Sequence, residues 1–535
     1  MKAEDAFSPA LQNIAAHGDT DVFPLPFETH LFFDEETKSR AILKEIHDNL
    51  DTWLATYPPH VIPTLAQVGY TGFRWATFIE PFWNAYYLAL TISLAGEIEK
   101  QRVADDKNMV FSYRFGPQPG ATKLFKDSSW LKFRTHCLQL SLTEPVVVQT
   151  DIADFYPRVY HHRVENALNR LPSVGDTPSR IMKLLGAFSS HVSYGLPVGG
   201  PASRVLSELA LNGVDFLLER KGIRFCRYAD DYVLFCADRA DAYRALVFLA
   251  EKLANEGLVL QKKKTRILDA EEFRQASGLL DPTIAGNASA IVSEEQKLLN
   301  ISIKFDPYSP TAEDDYHSLK TAVDQVDILG ILGRELAKTT IDPMVSKQAV
   351  QAIKLLGIQQ RFAAIRMLLS TDNVLILAPV FVTVMRVVRD LYPELSLAEQ
   401  NYIDEALVAL HTGKSPLLSV EVNLAHFLQA LAGNPSQAKE EVLVHLFPTT
   451  SNSIIRRTII LIMARWKCHY WLSDVKSQYG AMPILEKRAF ILASYYLGDE
   501  GKHWRSHTRG SWLSPELLIR DWFSTRFQTN MAVPL

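Results

Sequence analysis

Cysteine is scarce in this sequence and follows no pattern. Cys137, Cys226, Cys236 and Cys468 lie far apart, with no CxxC spacing and no Cys/His pairing. Free thiols in a reducing cytoplasm suit these spacings better than a disulfide framework or a zinc site. Long apolar runs are missing too. The most apolar stretch, Val374 to Val388, contains Arg386 and is too short to span a bilayer, so a buried core helix is expected there and no membrane partner. Residues 1–30 carry scattered acids and no apolar core segment, which predicts no secretory signal at this end. A net basic charge, the simplest mark of a nucleic-acid binder, is also absent: the formal charge is −4.

Hydrophobic residues at 47% and charged residues at 22% are ordinary for a globular chain with a real core, and 535 residues suit two to four domains. The charge is unevenly spread. Residues 1–100 hold 6 Lys and Arg against 14 Asp and Glu; residues 101–270 hold 24 against 18; residues 271–535 hold 26 against 28. Positive charge is thus concentrated in the middle segment, as in an enzyme that holds a polyanion in one groove.

The pattern of apolar residues also divides the chain. Residues 1–60 are acidic with some helical periodicity, and 76–102 read as an aromatic-rich buried helix. From 108 to 270, short apolar strands (MVFSYRF, EPVVVQTDI, IRFCRYADDYVLFCA) alternate with amphipathic helices, which implies a sheet with helices on one face. A polar connection with Gly278, Pro282, Gly286, Pro307 and Pro310 follows. Beyond it strand signals nearly vanish. Helices are expected over 316–338, 345–357, 360–370, 374–391, 397–411, 418–432, 437–446, 453–466, 484–497 and 514–526. Helix pairs spaced about 35 to 45 residues apart suit a HEAT-like repeat domain, with an irregular helical domain as the other reading.

Chemistry concentrates in two places. In VVVQTDIADFY an apolar strand ends at Asp151; in FCRYADDYVLFCA two apolar half-strands flank Asp230 and Asp231, placing adjacent acids at a hairpin tip. Like charges there are costly as bare structure, and a divalent ion relieves the cost. Hard oxygen ligands suit Mg²⁺ or Mn²⁺, and two such ions serve phosphoryl transfer. Taken alone, the Asp-Asp pair also reads as an ordinary turn former.

The motifs in order settle that choice. Asp151-x-x-x-Phe155-Tyr156, Gly195-Leu196-Pro197-x-Gly199, Tyr228-Ala229-Asp230-Asp231 and Leu258-x-Leu260-x-x-x-Lys264-Thr265 resemble the four palm motifs of reverse transcriptases. The resemblance covers roughly residues 75–270. It implies an α+β right-hand polymerase, with fingers and palm of reverse-transcriptase type, followed by the all-α, HEAT-like domain. The implied divisions are 1–107 for the N-terminal region and fingers helices, 108–290 for the fingers/palm core, and 291–535 for the helical domain. Asp151, Asp230 and Asp231, with the carbonyl of Ile152, are implied to hold two metal ions. Phe155, Tyr156, Gly195, Pro197 and Gly199 are implied to line the dNTP site, with Tyr156 excluding a 2′-OH. Lys264 matches a lysine that protonates pyrophosphate; its other reading is a solvated member of the Lys262–Lys264 run. Arg114 on VFSYRF is a candidate for the triphosphate or an exposed strand arginine, and Lys123 and Lys126 are weaker candidates of the same kind.

Val198 stands where this family usually has glutamine, and a valine side chain cannot hydrogen-bond to the nucleotide. That departure, the Ser112-Tyr113-Arg114 segment, the SELAL stretch after GLPVGGPASR and the helical C-terminal region resemble the bacterial abortive-infection (Abi, AbiK-like) and defence-associated reverse transcriptases. That group implies antiphage DNA synthesis from dNTPs, protein-primed and template-independent, with a covalently attached DNA product and a homo-oligomer (trimer or hexamer). Copying of a dedicated noncoding RNA is the first alternative, and a catalytically silent nucleic-acid scaffold the second. The priming residue is unassigned, with Tyr496 a candidate. Finally, GDEGKHWRSHTRG reads as a glycine-bounded loop in which Lys502, His503, Trp504 and Arg505 could hold a single strand. An oligomer contact or a solvated loop is its other reading.

Overall fold

The protein is described by a computed structural model covering residues 1–118, 120–127, 129–172, 175–190, 192–276, 294–300, 319–321 and 323–535. The expected boundary at 290/291 and most of the Gly278–Pro310 connection lie outside the described residues; within that connection Glu294–Asn300 is a short helix. Two compact units emerge: one of Met1–Asp21, Leu25–Pro63 and Ala76–Gly286, the other of Val22–Pro24, Thr64–Trp75 and Asn287–Leu535.

The first unit is built on an antiparallel sheet of β3 (Val146–Asp151), β4 (Arg224–Tyr228), β5 (Asp231–Cys236) and β6 (Arg266–Asp269), in the order β4-β5-β3-β6. Strands β1 (Val61–Val68) and β2 (Gly72–Ile79) form a separate hairpin. Helices cover both faces of the larger sheet, not one. On one side Val147, Cys226, Val233 and Phe235 pack with Phe133, Cys137 and Leu138 of the Ser129–Thr143 helix and with Phe273. On the other, the Pro201–Arg220 and Arg239–Asn255 helices meet β3, β4 and β5. The unbroken runs Val146–Val148 and Tyr232–Cys236 carry the mark of such two-sided burial, because a sheet with one wet face alternates instead.

Two elements differ from their sequence reading. Residues 76–79 finish β2, and the aromatic helix begins at Pro81. Pro81 suits the first helical turn, and the Glu80 carboxylate accepts the Trp83 N–H at 2.9 Å. VFSYRF is largely irregular: Val110 makes one bridge to Arg227, and Tyr113 at φ +46° breaks the strand.

The second unit is helical in its described C-terminal part, from Ile328–Leu336 to Ser514–Gln528. Its helices largely follow the periodicity, with Pro379 splitting the apolar run into Thr371–Ile376 and Phe381–Leu391, and His469–Lys476 an additional helix. The hairpin tip and Val22–Pro24 join it. The Tyr70 hydroxyl donates to the Ile376 carbonyl at 2.6 Å, Asn423 donates to Gln67 at 3.2 Å, and His426 bonds the Val22 carbonyl at 2.8 Å. All four cysteines are free and buried. No helix among the described residues is long and apolar enough to cross a membrane.

Candidate active site

Strand pairing brings the acids together. Asp151, last in β3, lies directly opposite Asp231, first in β5. Residues opposite one another across an antiparallel pair project to the same face. Asp230 occupies the two-residue turn between β4 and β5. Such turns demand a positive φ, which glycine supplies most cheaply; here Ala229 carries it at +54°. Two bonds hold the turn: the Arg227 guanidinium donates to the Ala229 carbonyl at 2.8 Å, and the Ile152 N–H donates to the Asp230 carbonyl at 3.1 Å.

The acids lack sufficient positive charge. Asp151 is buried, and its Oδ1 has no hydrogen-bond partner. Its Oδ2 pairs with the Lys264 ammonium, which raises the lysine's pKa against the lowering effect of burial. Burial first, and then the charges of Asp230 and Asp151, push the Asp231 carboxyl up to about 7. As the side chains stand, no group of three or more His, Cys, Asp or Glu among the described residues is arranged to hold a metal ion. The donor chemistry nonetheless fits one. Three carboxylates, that of Asp151 with an orphaned buried oxygen, gather beside the exposed Lys264 ammonium, and a hard divalent cation suits such a donor set. Asp151, Asp230, Asp231 and the Ile152 carbonyl would hold it, with some turning of side chains.

The remaining motifs are laced around this point. The Gln261 N–H donates to the Asp151 carbonyl at 2.7 Å, Ala153 N–H to the Val259 carbonyl at 2.8 Å, and Thr150 and Thr265 hydroxyls bond at 2.7 Å. These contacts deliver Lys264. Phe155 and Tyr156 begin a short helix just past Asp154, which has φ +49°. The Gly-rich loop lies against it: Gly195 N–H donates to Val159 and Leu196 N–H to Tyr156. Gly195 and Gly199, at φ +98° and +127°, hold conformations other residues rarely adopt. Pro197 and Val198 are buried between them, with the Val198 carbonyl accepting from Thr77.

Arg114 does not belong to this group. It is 2% exposed, and its guanidinium bonds Val110 and Val103 carbonyls and the Glu99 carboxylate. Lys123 and Lys126 are exposed and pair with Asp127 and Asp105. Sequence reasoning passed over a different set. The Arg204 guanidinium lies 5.3 Å from the Tyr113 ring centre and pairs with Asp21 at 2.7 Å. The Tyr156 hydroxyl lies near Ser207 and Tyr113, and the Tyr228 ring centre lies 6.1 Å from that of Tyr113. Helical spacing was the available signal: Arg204, Ser207 and Glu208 fall on one stripe of the Pro201–Arg220 helix.

In the second unit, GDEGKHWRSHTRG is not a loop. Gly498–Thr508 is an α-helix, with Asp499 and Glu500 favourably placed in its first turn. Gly501 is needed for close packing, since a Cβ there would sit 1.8 Å from the Ser494 carbonyl oxygen. Trp504 packs edge-on to Tyr479 and Phe490 at 4.8 and 5.0 Å, and Arg505 lies over Tyr495 at 3.7 Å. Only Lys502 and His503 of the four candidates are exposed. Tyr496 packs against Phe523 and Phe527, and burial raises its pKa.

Residues 99–331 match the family model described as reverse transcriptase (RNA-dependent DNA polymerase). That segment is similar to reverse-transcriptase domains, which belong to a class of nucleotidyltransferases. The chain is similar to the retron Ec86 reverse transcriptase of Escherichia coli, with 26% identity over 138 residues. That match covers 25% of this chain and 42% of the relative, so the chain spans less than half of the curated protein it matches. Among solved structures, telomerases of Candida albicans and Candida tropicalis align over 77% and 76% of this chain and 70% and 71% of theirs. Their TM-scores are 0.28 and 0.27, with identities of 11% and 10%.

Proposed function

We propose that this protein is an RNA-directed DNA polymerase of a bacterial antiphage defence system, joining dNTPs by two-metal nucleotidyl transfer. The observation that carries the reading is the register of β3 and β5, which sets Asp151 opposite Asp231 beside the Asp230 turn, inside the segment that matches reverse transcriptases. Bound Mg²⁺ or Mn²⁺ would supply charge neutralisation at the attacking and leaving oxygens. The chain's own residues do the rest. Asp151, Asp230 and Asp231 fix the ligand positions. Tyr156, beside Ser207 and Tyr113, closes the sugar side. Lys264, resting on Asp151, is placed to hand a proton to the departing pyrophosphate. The helical region, read as HEAT-like, supports assembly into a homo-oligomer.

Primer extension on RNA and DNA templates, in the wild type and in Asp230→Asn, tests this. Metal-dependent dNTP incorporation that Asp230→Asn abolishes is expected. Incorporation persisting near the wild-type rate in Asp151→Ala or Asp230→Asn removes the assignment.

Priming is the finer question. Val198 brings no side-chain donor to its pocket, which favours synthesis with weak dependence on an added template, begun from a protein hydroxyl. The similarity to a retron reverse transcriptase favours an RNA template instead. Mass spectrometry after nuclease treatment separates them: a nucleotide remnant on a tyrosine supports protein priming, and a protein-free product complementary to a copurified RNA supports the RNA template.

A further inference from the structure

Behind the acids lies a buried cluster of charge. Arg227 is fully buried in β4, and it reaches Asp215 at 2.6 and 2.9 Å and Glu208 at 2.8 and 3.3 Å. Glu208, 1% exposed, also takes the Arg102 guanidinium at 2.6 Å and the Ser112 hydroxyl at 2.5 Å. Arg102 in turn donates to the Ser112 carbonyl at 2.8 Å, the Tyr113 carbonyl at 3.1 Å and the Glu99 carboxylate at 3.0 Å. Every contact of Glu208 leads to one of two places. Through Arg227 it reaches the Ala229 carbonyl, and so the strained turn that carries Asp230 and Asp231. Through Ser112 and Arg102 it reaches Tyr113, which has a left-handed backbone and whose ring meets Arg204, Tyr156 and Tyr228.

We propose that Glu208 is a positioning residue whose single carboxylate sets the distance between the Tyr113 wall of the nucleotide pocket and the metal-ligating turn. Two observations carry this beyond packing. Both segments it holds have positive-φ residues, Tyr113 and Ala229, that their own side chains do not favour, so an outside restraint must hold them. And each of the two carboxylate oxygens serves both sides. Oε1 takes Ser112 on the pocket side, with a longer contact to Arg227; Oε2 takes both guanidiniums. Loss of the Ser112 hydroxyl alone therefore weakens the wall, leaving it to Arg102, while the turn stays anchored through Arg227. Loss of the Glu208 charge loosens both. The inference rests on the polymerase reading for the identity of the pocket's occupant, not for the linkage itself.

The test compares Ser112→Ala, Glu208→Gln and Leu211→Ala, the last a buried apolar control on the same helix. For each, dNTP and NTP kinetics are measured, Mn²⁺ binding is followed by electron paramagnetic resonance, dNTP binding by calorimetry, and stability by thermal unfolding. Ser112→Ala is expected to weaken dNTP binding and to narrow the dNTP-to-NTP preference by about fivefold, with Mn²⁺ affinity unchanged. Glu208→Gln is expected to do both and to weaken Mn²⁺ binding by about tenfold. Leu211→Ala should lower the melting temperature and leave the ratios alone. If Ser112→Ala and Glu208→Gln behave as Leu211→Ala does, losing stability while KM, sugar preference and Mn²⁺ affinity hold, the proposal is overturned. Should Glu208→Gln fail to fold, Ser112→Ala decides by the same criterion. A wild type that binds Mn²⁺ and dNTP without joining nucleotides would overturn the polymerase reading, and the two binding measurements would still judge the role of Glu208.

Discussion

Replacing Asp231 by asparagine removes one of three carboxylate charges from a place where burial and neighbouring acids already disfavour it. Asp231→Asn should therefore raise the melting temperature by about 1 °C, on the order of 1 kcal/mol for a chain of this size, while abolishing nucleotide incorporation. Differential scanning calorimetry beside a primer-extension assay reads both; a lowered melting temperature would mean the acids are already satisfied by the fold. On the proposed reading, Tyr156→Ala should admit NTPs, because the ring beside Ser207 and Tyr113 would no longer occupy the sugar's edge. A wild type that already uses both sugars equally contradicts that. His426 offers a pH test. Burial, then Arg386, hold its pKa at about 3, below the usual 6.5, and its ring bonds the Val22 carbonyl. The unfolded chain binds this proton more readily, so its contribution to stability is full above pH 6.5 and declines as pH falls toward 3. His426→Gln, which keeps a donor, should flatten the fall in melting temperature between pH 6.5 and 5. That Asp151, Asp230 and Asp231 would meet was legible through the ordered motifs around them, because the Asp-Asp pair alone also suits an ordinary turn. Arg114 was misread because exposure cannot be seen in sequence: its partner Glu99 is 15 residues away.

At the level of elements, composition misled where packing decides. GDEGKHWRSHTRG has three glycines and many polar groups, yet Gly501 serves contact and Gly498–Thr508 is a helix. Trp504 is the check. If it is core, Trp504→Ala should destabilise the helical unit by about 3–5 kcal/mol and leave nucleic-acid affinity unchanged in the folded fraction. If it stacks on a base, affinity falls and the unfolding midpoint stays. Denaturant titration with a fluorescence-anisotropy binding assay tells these apart. The β4–β5 turn gives a second test. Ala229→Val places a β-branched residue at φ +54° and should cost roughly 1–3 kcal/mol, whereas Ala229→Gly should be nearly neutral because relief of strain offsets added chain entropy. The two-sided cover of the sheet was in principle legible from Val146–Val148 and Tyr232–Cys236, which do not alternate. The ladder of bonds that delivers Lys264 was not, since it joins residues 106 to 115 positions apart only through register.

Across the whole molecule, the helical unit includes three residues from near position 22 and twelve from a hairpin tip near position 70. Tyr70 and Ile376 are 306 residues apart in sequence, Gln67 and Asn423 are 356, and Val22 and His426 are 404. Such pairs have an implication for the order of events on the ribosome. At about 5–20 residues per second, residue 426 is made roughly 20 to 80 seconds after residue 22. During that interval the hairpin tip, with Phe73 and Trp75 about half exposed even in the finished fold, waits without its partners. Newly made chains are thus open to capture by chaperones or by one another until translation is nearly done, and slowing elongation should lower the soluble yield rather than raise it.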